Sequence, residues 1–318
     1  MKLITTALVL FAAAAPAWAQ AYISSEKDHT ITIVDPATHT VSGVIATCKR
    51  PRHMQLLANG KQLLVACSQS NAADLIDLAT RKSVRRIPLG EDPEAFDLSP
   101  DGKTLFVSRE DDAQLAFVDF ASGKQTQVVA VGKEPEGVKV SPDGKLVYVT
   151  SEAANLVHVI DVATASVVKN IKVGKRPRRF ALTPDGKQLW VSNELDASVS
   201  IIATQDHSVI DTIRFEVKGA RATDITPVGL TMSGDGKRAF VALGRANHVA
   251  FVDVASRKTT DLVLVGKRAW GLALNRAGTQ LYVVNGLSDD MTIVDVATAK
   301  ALKTVPVGRV PYAVVIAE

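Results

Sequence analysis

The sequence predicts an all-β chain, a seven-bladed β-propeller of four-stranded blades closed by pairing N-terminal strands with a C-terminal inner strand. Two independent series of markers carry that expectation. Turn glycines stand at Gly60, Gly102, Gly144, Gly186, Gly236 and Gly278, in steps of 42, 42, 42, 50 and 42. An acidic residue closes an apolar strand at Asp35, Asp77, Asp119, Asp161, Asp253 and Asp295, with Ala203 at the fifth place, and these steps are also 42 apart from a single 50. Both series therefore place one eight-residue insertion in the same unit, near Lys218 to Thr226.

Each unit reads as four short strands. In the stretch from Pro135 to Gly174, Gly137 to Val140 alternates, and Ser141-Pro142-Asp143-Gly144 supplies a tight turn. Leu146 to Val149 follows, then a polar loop over Ser151 to Asn155, a third strand over Leu156 to Ile160, a turn at Asp161 to Thr164, and a last strand over Val167 to Val173. No stretch after the N-terminal segment sustains a helical period. A single blade cannot bury both faces of its sheet, so blades must pack around an axis.

The ends of the chain set the blade count. Pro311 to Ile316 matches an innermost strand with nothing after it, and Ala21 to Thr47 matches three outer strands with no inner strand before them. Six whole blades and one shared blade make seven. The shared blade leaves no open sheet edge at the seam. Ahead of it, Met1-Lys2, the apolar run from Leu3 to Ala15 and the small residues of Ala17-Trp18-Ala19 form a secretory signal. The expected domains are a signal peptide over residues 1–19 and a propeller over 20–318, exported to the periplasm in a Gram-negative cell. No later run is long enough to span a membrane.

The two cysteines, Cys48 and Cys67, suit an oxidising compartment. Cys48 falls just before an inner strand and Cys67 at the end of the strand that pairs back along it. A disulfide is therefore expected over two buried thiols. No C-x-x-C-H is present for haem, and His29, His39, His158, His207 and His248 are scattered between faces, so no metal site is expected. The net charge of +4 is spread along the chain, which argues against nucleic acid. A monomer is the default.

Aligning the units by position picks out the candidate site. Just after the usual proline, at the start of the inner strand, stand Arg52, Glu94, Glu136, Arg178, Val228, Trp270 and Tyr312. These residues are expected to ring the channel mouth. The next position is small in five units but is His53 and Arg179 in the other two, and those departures carry the most information. A secondary rim of Glu26, Glu110, Glu152 and Glu194 recurs after the second strand. One reading of this pattern is a pocket for a small organic acid, with Arg52, Arg178 and Arg179 pairing carboxylates and Trp270 and Tyr312 stacking. The other is a set of internal salt bridges. Calcium on the four rim glutamates is disfavoured by their spread around a wide ring.

The phrases Leu146-Val147-Tyr148-Val149-Thr150, Val159-Ile160-Asp161-Val162-Ala163-Thr164 and Ser141-Pro142-Asp143-Gly144 resemble the YVTN family of β-propeller repeats over the whole mature chain. Length and layout resemble the subgroup associated with catabolism dependent on pyrroloquinoline quinone. That resemblance implies an exported, non-catalytic binding or scaffold protein serving periplasmic quinoprotein alcohol oxidation. Its partner would be a quinoprotein dehydrogenase or a transporter component. It supplies no catalytic residues and requires no cofactor, although the quinone's carboxylates would suit Arg52, Arg178 and Arg179. The alternative is a lactonase-type hydrolase, with His53 and Glu94 or Glu136 as base and Arg178 steadying an oxyanion.

Overall fold

The computed structural model describes residues 19–318, so the predicted signal peptide, apart from Ala19, lies outside the described residues. Twenty-eight strands form seven four-stranded antiparallel sheets, and the only helices among the described residues are two single 3-10 turns, Ser68–Ser70 and Ala222–Asp224. Six sheets are consecutive in sequence. The seventh has the order β28-β1-β2-β3, from β28 (Pro311–Ala317), β1 (Gln20–Ser25), β2 (Thr30–Asp35) and β3 (Thr40–Ala46). Tyr22 pairs with Val315 and Ile23 with Val314, so the C-terminal strand completes the blade that the N-terminal strands begin. This is the predicted closure.

The turn signals fold for stated reasons. At Ser99, Ser141, Thr183 and Ser233 the hydroxyl donates to the aspartate two residues on, at 2.6–2.7 Å, and the glycine that follows takes φ near +70°. The acidic series caps the outer turn: Asp161 Oδ1 accepts from the backbone N–H and hydroxyl of Thr164, both at 2.8 Å. Where the series has Ala203, Asp206 accepts from Ser208 N–H at 3.0 Å instead, which explains the single exception.

Seven apolar clusters hold the ring together, each joining residues of at least two neighbouring blades. The cluster around Trp190 and Val199, for example, continues into Leu230, Ala239 and Val241 of the next blade. Cys48 and Cys67 form the expected disulfide, with Cα atoms 5.7 Å apart, and tie the loop after β3 to the next blade. The insertion is pinned rather than loose. Phe215, Val217 and Ile225 are buried in the Trp190 cluster, on the face that carries the mouth. Among the described residues no helix is long and apolar enough to cross a membrane.

Candidate functional site: the channel mouth

Six of the seven inner strands begin at or just before the ring position: β4 (Pro51–Leu56), β8 (Pro93–Leu98), β12 (Pro135–Val140), β16 (Pro177–Leu182), β24 (Ala269–Leu274) and β28. In the remaining blade the residue, Val228, precedes β20 (Leu230–Met232). A staple fixes their spacing in four blades. Ser24, Ser108, Thr150 and Ser192 donate to the carbonyls of Arg52, Glu136, Arg178 and Val228 in the next blade, at 2.7–3.0 Å. Each hydroxyl also accepts the N–H of Ala313, Ala95, Gly137 or Arg179 in its own blade. Neighbouring inner strands are thereby drawn close at the mouth. A Cβ at Gly137, Gly229 or Gly271 would sit 2.1, 2.1 or 2.4 Å from the next blade's carbonyl oxygen, the physical reason for the small residue.

All seven ring residues are brought together and buried. Their charges neutralise one another. Arg52 pairs with Glu94 and lies 3.8 Å from Glu26. Arg178 stands among three carboxylates: Glu152 in direct contact, and Glu136 and Glu194 each at 3.3 Å. Arg179 reaches Glu136 at 2.8 Å and donates to the Tyr312 hydroxyl across the channel, which in turn donates to Glu136 at 3.0 Å. The aromatic wall is cationic on its faces, with Arg52 4.6 Å from the Tyr312 ring centre and Arg178 5.0 Å from that of Trp270.

Burial alone would raise Glu136, but Arg178, Arg179 and Arg52 outweigh it and hold the carboxyl down at about 2. Glu152 goes the other way, pushed up to about 8 by burial against Arg178's attraction, with the charge of Glu136 adding to the rise. Burial also works against the charge of Arg178, yet Glu136, Glu152 and Glu194 together raise its pKa.

The rim glutamates divide. Glu26 pairs with Arg50 at 3.2 Å, and Glu152 and Glu194 with Arg176 at 2.6 and 3.0 Å. Glu110 has no ion pair among the described residues and is raised by burial first and by Glu136 next. The four do not converge on one point. The carboxylate group that does gather, within 4.8 Å, is Asp92, Glu94 and Glu110, and Arg50 and Arg52 already reach into it.

Column reading missed Arg50, Arg176 and Arg268. All three sit two residues before the ring position, in the left-handed region at φ 57°, 55° and 60°, and line the mouth cavity of about 270 Å3. The same alignment read two positions upstream finds them. Arg268 makes no ion pair among the described residues, and its guanidinium lies 4.1 Å from the Trp270 ring centre. The Trp270 Nε1 is buried with no acceptor among the described residues.

His53 lies beneath the ring, edge-on to Phe96 with centroids 4.8 Å apart. It keeps some access along the channel, but protein surrounds it closely, and burial followed by the charge of Arg179 depresses the imidazole to about 3. No protein group among the described residues hydrogen-bonds its ring. Glu94 and Glu136, expected as partners for a histidine base, are taken by arginines instead.

The closed ring of seven four-stranded blades defines a β-propeller with a charged channel mouth. Residues 121–285, over half of the 318, match the choice-of-anchor I domain, and the chain belongs to that family. Residues 2–87 and 57–140 match the YNCE-like β-propeller. No curated protein matches the sequence. Among solved structures, Kuenenia stuttgartiensis hydrazine synthase is similar with a TM-score of 0.77 and 22% identity, covering 87% of this chain and 92% of that one. A functionally unknown protein from Desulfotomaculum acetoxidans DSM 771 reaches 0.80 at 16% identity, covering 94% and 99%. The dihydro-heme d1 dehydrogenase NirN in complex with DHE reaches 0.70 at 15%, covering 93% and 74%. At these identities the likeness is one of fold.

Proposed function

We propose that this chain is an exported, non-catalytic binding propeller. In this reading it is accessory to periplasmic quinoprotein alcohol oxidation and its associated transport, and it takes a small organic acid at the channel mouth. The observation that supports binding is Arg268, a cation that has no carboxylate partner among the described residues, stacked on Trp270 at the edge of the mouth cavity beside an indole N–H that likewise finds no acceptor among them. A carboxylate entering the mouth would pair with Arg268, whose guanidinium Trp270 holds in place. Pyrroloquinoline quinone has that chemistry. Of its expected partners, Arg52, Arg178 and Arg179 are already engaged by glutamates, so the fit is to Arg268 and Trp270. A quinoprotein dehydrogenase or a transport component would be the protein partner, meeting the same face.

A lactonase-type hydrolase has less support, because its base would be a histidine depressed to about 3, too weak to take a proton near neutral pH, and without a carboxylate to orient it. Calorimetric titration of residues 20–318 with pyrroloquinoline quinone and with citrate tests the binding reading. Saturable binding weakened about tenfold or more by Arg268→Ala is the expected result. Titrations flat for both acids, or indifferent to Arg268→Ala, would remove the mouth as an acid site.

A further inference from the structure

Beneath the mouth ring lies a second cavity, of about 250 Å3, roofed by Trp270 and Tyr312. The bond from Arg179 to Tyr312 and on to Glu136 crosses the channel between the two cavities. Below it the character of the wall changes. Met54, Phe180, Leu230, Leu272 and Val314 supply apolar surface, and His53 is the uncharged polar group among them. An adjoining cavity of about 210 Å3 shares His53, Met54 and Phe180 and continues past Gln55, Asp97 and Lys139, toward the Asp-Gly turns and away from the mouth.

His53 occupies a position that the repeat keeps small for close strand approach, and its ring is left without a hydrogen-bond partner among the described residues. A neutral imidazole offers one N–H donor and one lone pair. The packing of its edge on Phe96 fixes the ring's direction. Ionic ligands gain little here. The charge of Arg179 is already matched by Glu136 at 2.8 Å, and Asp97 and Lys139 neutralise each other at 2.8 Å. A charge entering an apolar chamber without a partner is expelled by its desolvation cost.

We propose that this inner chamber is a binding site for a small neutral organic molecule bearing a hydroxyl or carbonyl group. The oxygen is hydrogen-bonded to His53, and the apolar body packs on Met54, Phe180, Leu230, Leu272 and Val314. Sites for drug-sized ligands span roughly 300–1,000 Å3, so this chamber suits a ligand on the order of ten non-hydrogen atoms. Entry is from the Asp-Gly-turn side, because the Arg179–Tyr312–Glu136 contacts close the mouth side. The site is separate from the acid site proposed above, and either can stand without the other.

Ligand-observed NMR with benzyl alcohol, benzaldehyde, benzoate and benzylammonium tests it, because the four share a ring and differ in charge. The alcohol and the aldehyde are expected to bind saturably, and each ion about tenfold or more weakly by comparison. His53→Phe keeps the edge contact and should weaken benzyl alcohol by about tenfold while leaving toluene unchanged. Leu272→Trp fills the chamber and should abolish binding of all probes, with Val314→Phe as a second filling variant should the first fail to fold. Equal affinity for neutral and charged probes, no binding by any probe, or binding unchanged in the filled variants would overturn the proposal. So would benzyl alcohol binding that disappears in Arg268→Ala and survives Leu272→Trp, which would move the ligand to the mouth.

Discussion

The two sides of one buried contact, Arg178 and Glu152, are expected to respond to substitution with opposite signs. Arg178 has a side chain only 6% exposed and contacts three carboxyl groups, of which Glu136 is held ionised, so Arg178→Met strips their shared cation. Breaking a buried pair from one side costs about 3–5 kcal/mol. Glu136 would keep Arg179 and Tyr312, while Glu152 and Glu194 would keep Arg176, which places the loss near the lower end, at about 3 kcal/mol. Glu152→Gln works in the other direction. With its folded pKa raised to about 8, Glu152 stays protonated while the unfolded chain ionises near 4.5. The folded state therefore binds more protons across that window, and its stability falls as pH rises from 4.5 to 8. Glutamine resembles the protonated acid and removes that decline. A tenfold change in proton affinity is worth about 1.4 kcal/mol, and coupling to the depressed Glu136 offsets part of the rise, so the gain near pH 7 should be about 1–3 kcal/mol, vanishing near pH 4. Urea unfolding of the three proteins at both pH values measures this. A Glu152→Gln variant more than about 1 kcal/mol less stable than the parent near pH 7 would mean that Glu152 is ionised and satisfied, and the electrostatic reading of the mouth would be wrong.

Three further outcomes are expected. Replacing Cys48 and Cys67 by serine releases a cross-link between residues 19 apart and should cost about 3 kcal/mol in chemical unfolding under oxidising conditions, with no difference under reductant. Gly229→Ala puts a Cβ 2.1 Å from the Trp270 carbonyl oxygen and should cost about 1–3 kcal/mol, whereas Gly60→Ala meets no atom within 4 Å and bears only the strain of φ +65°. His53, depressed from 6.5 to about 3, contributes stability that is complete above pH 6.5 and is lost as pH falls toward 3. His53→Phe should flatten that limb of the pH–stability curve, while an unchanged slope would show that His53 titrates normally.

The repeat made the fold legible because period and closure are both written in marker residues: the glycine series, the acidic series and the unmatched strands at each end. The ring position was legible for the same reason. Contacts between neighbouring blades follow the 42-residue step, so Arg52 meets Glu94, and Glu136 meets Arg178. Contacts across the channel do not. Arg179 meets Tyr312 from 133 residues away because the channel is narrow enough for a guanidinium to span it, and no local pattern records that width. The hydroxyl staples were hidden for a related reason. A serine at 24, 108 or 192 reads as an ordinary strand residue until its neighbour's carbonyl is placed beside it. Arg50, Arg176 and Arg268 escaped because they lie before the strand, and only their left-handed backbone turns them into the cavity.

The two cavities follow from one sequence decision. At the position that close strand approach keeps small, five units comply and two carry His53 and Arg179. Arg179 spans the channel and, through Tyr312 and Glu136, makes a polar floor for the mouth. His53 stays below that floor and turns a polar ring toward apolar walls. Losing the arginine should therefore merge the charged and apolar compartments, while losing the histidine should leave the mouth intact. A site selected for catalysis would need a poised base and a cation free to meet developing charge. Here the imidazole of His53, depressed to about 3, is a weak base and the ring arginines, Arg52 and Arg178, are committed to glutamates, so the proposed binding rests on Arg268 at the mouth and on hydrogen bonding to His53 below it. Those contacts support the proposed binding role over a catalytic one.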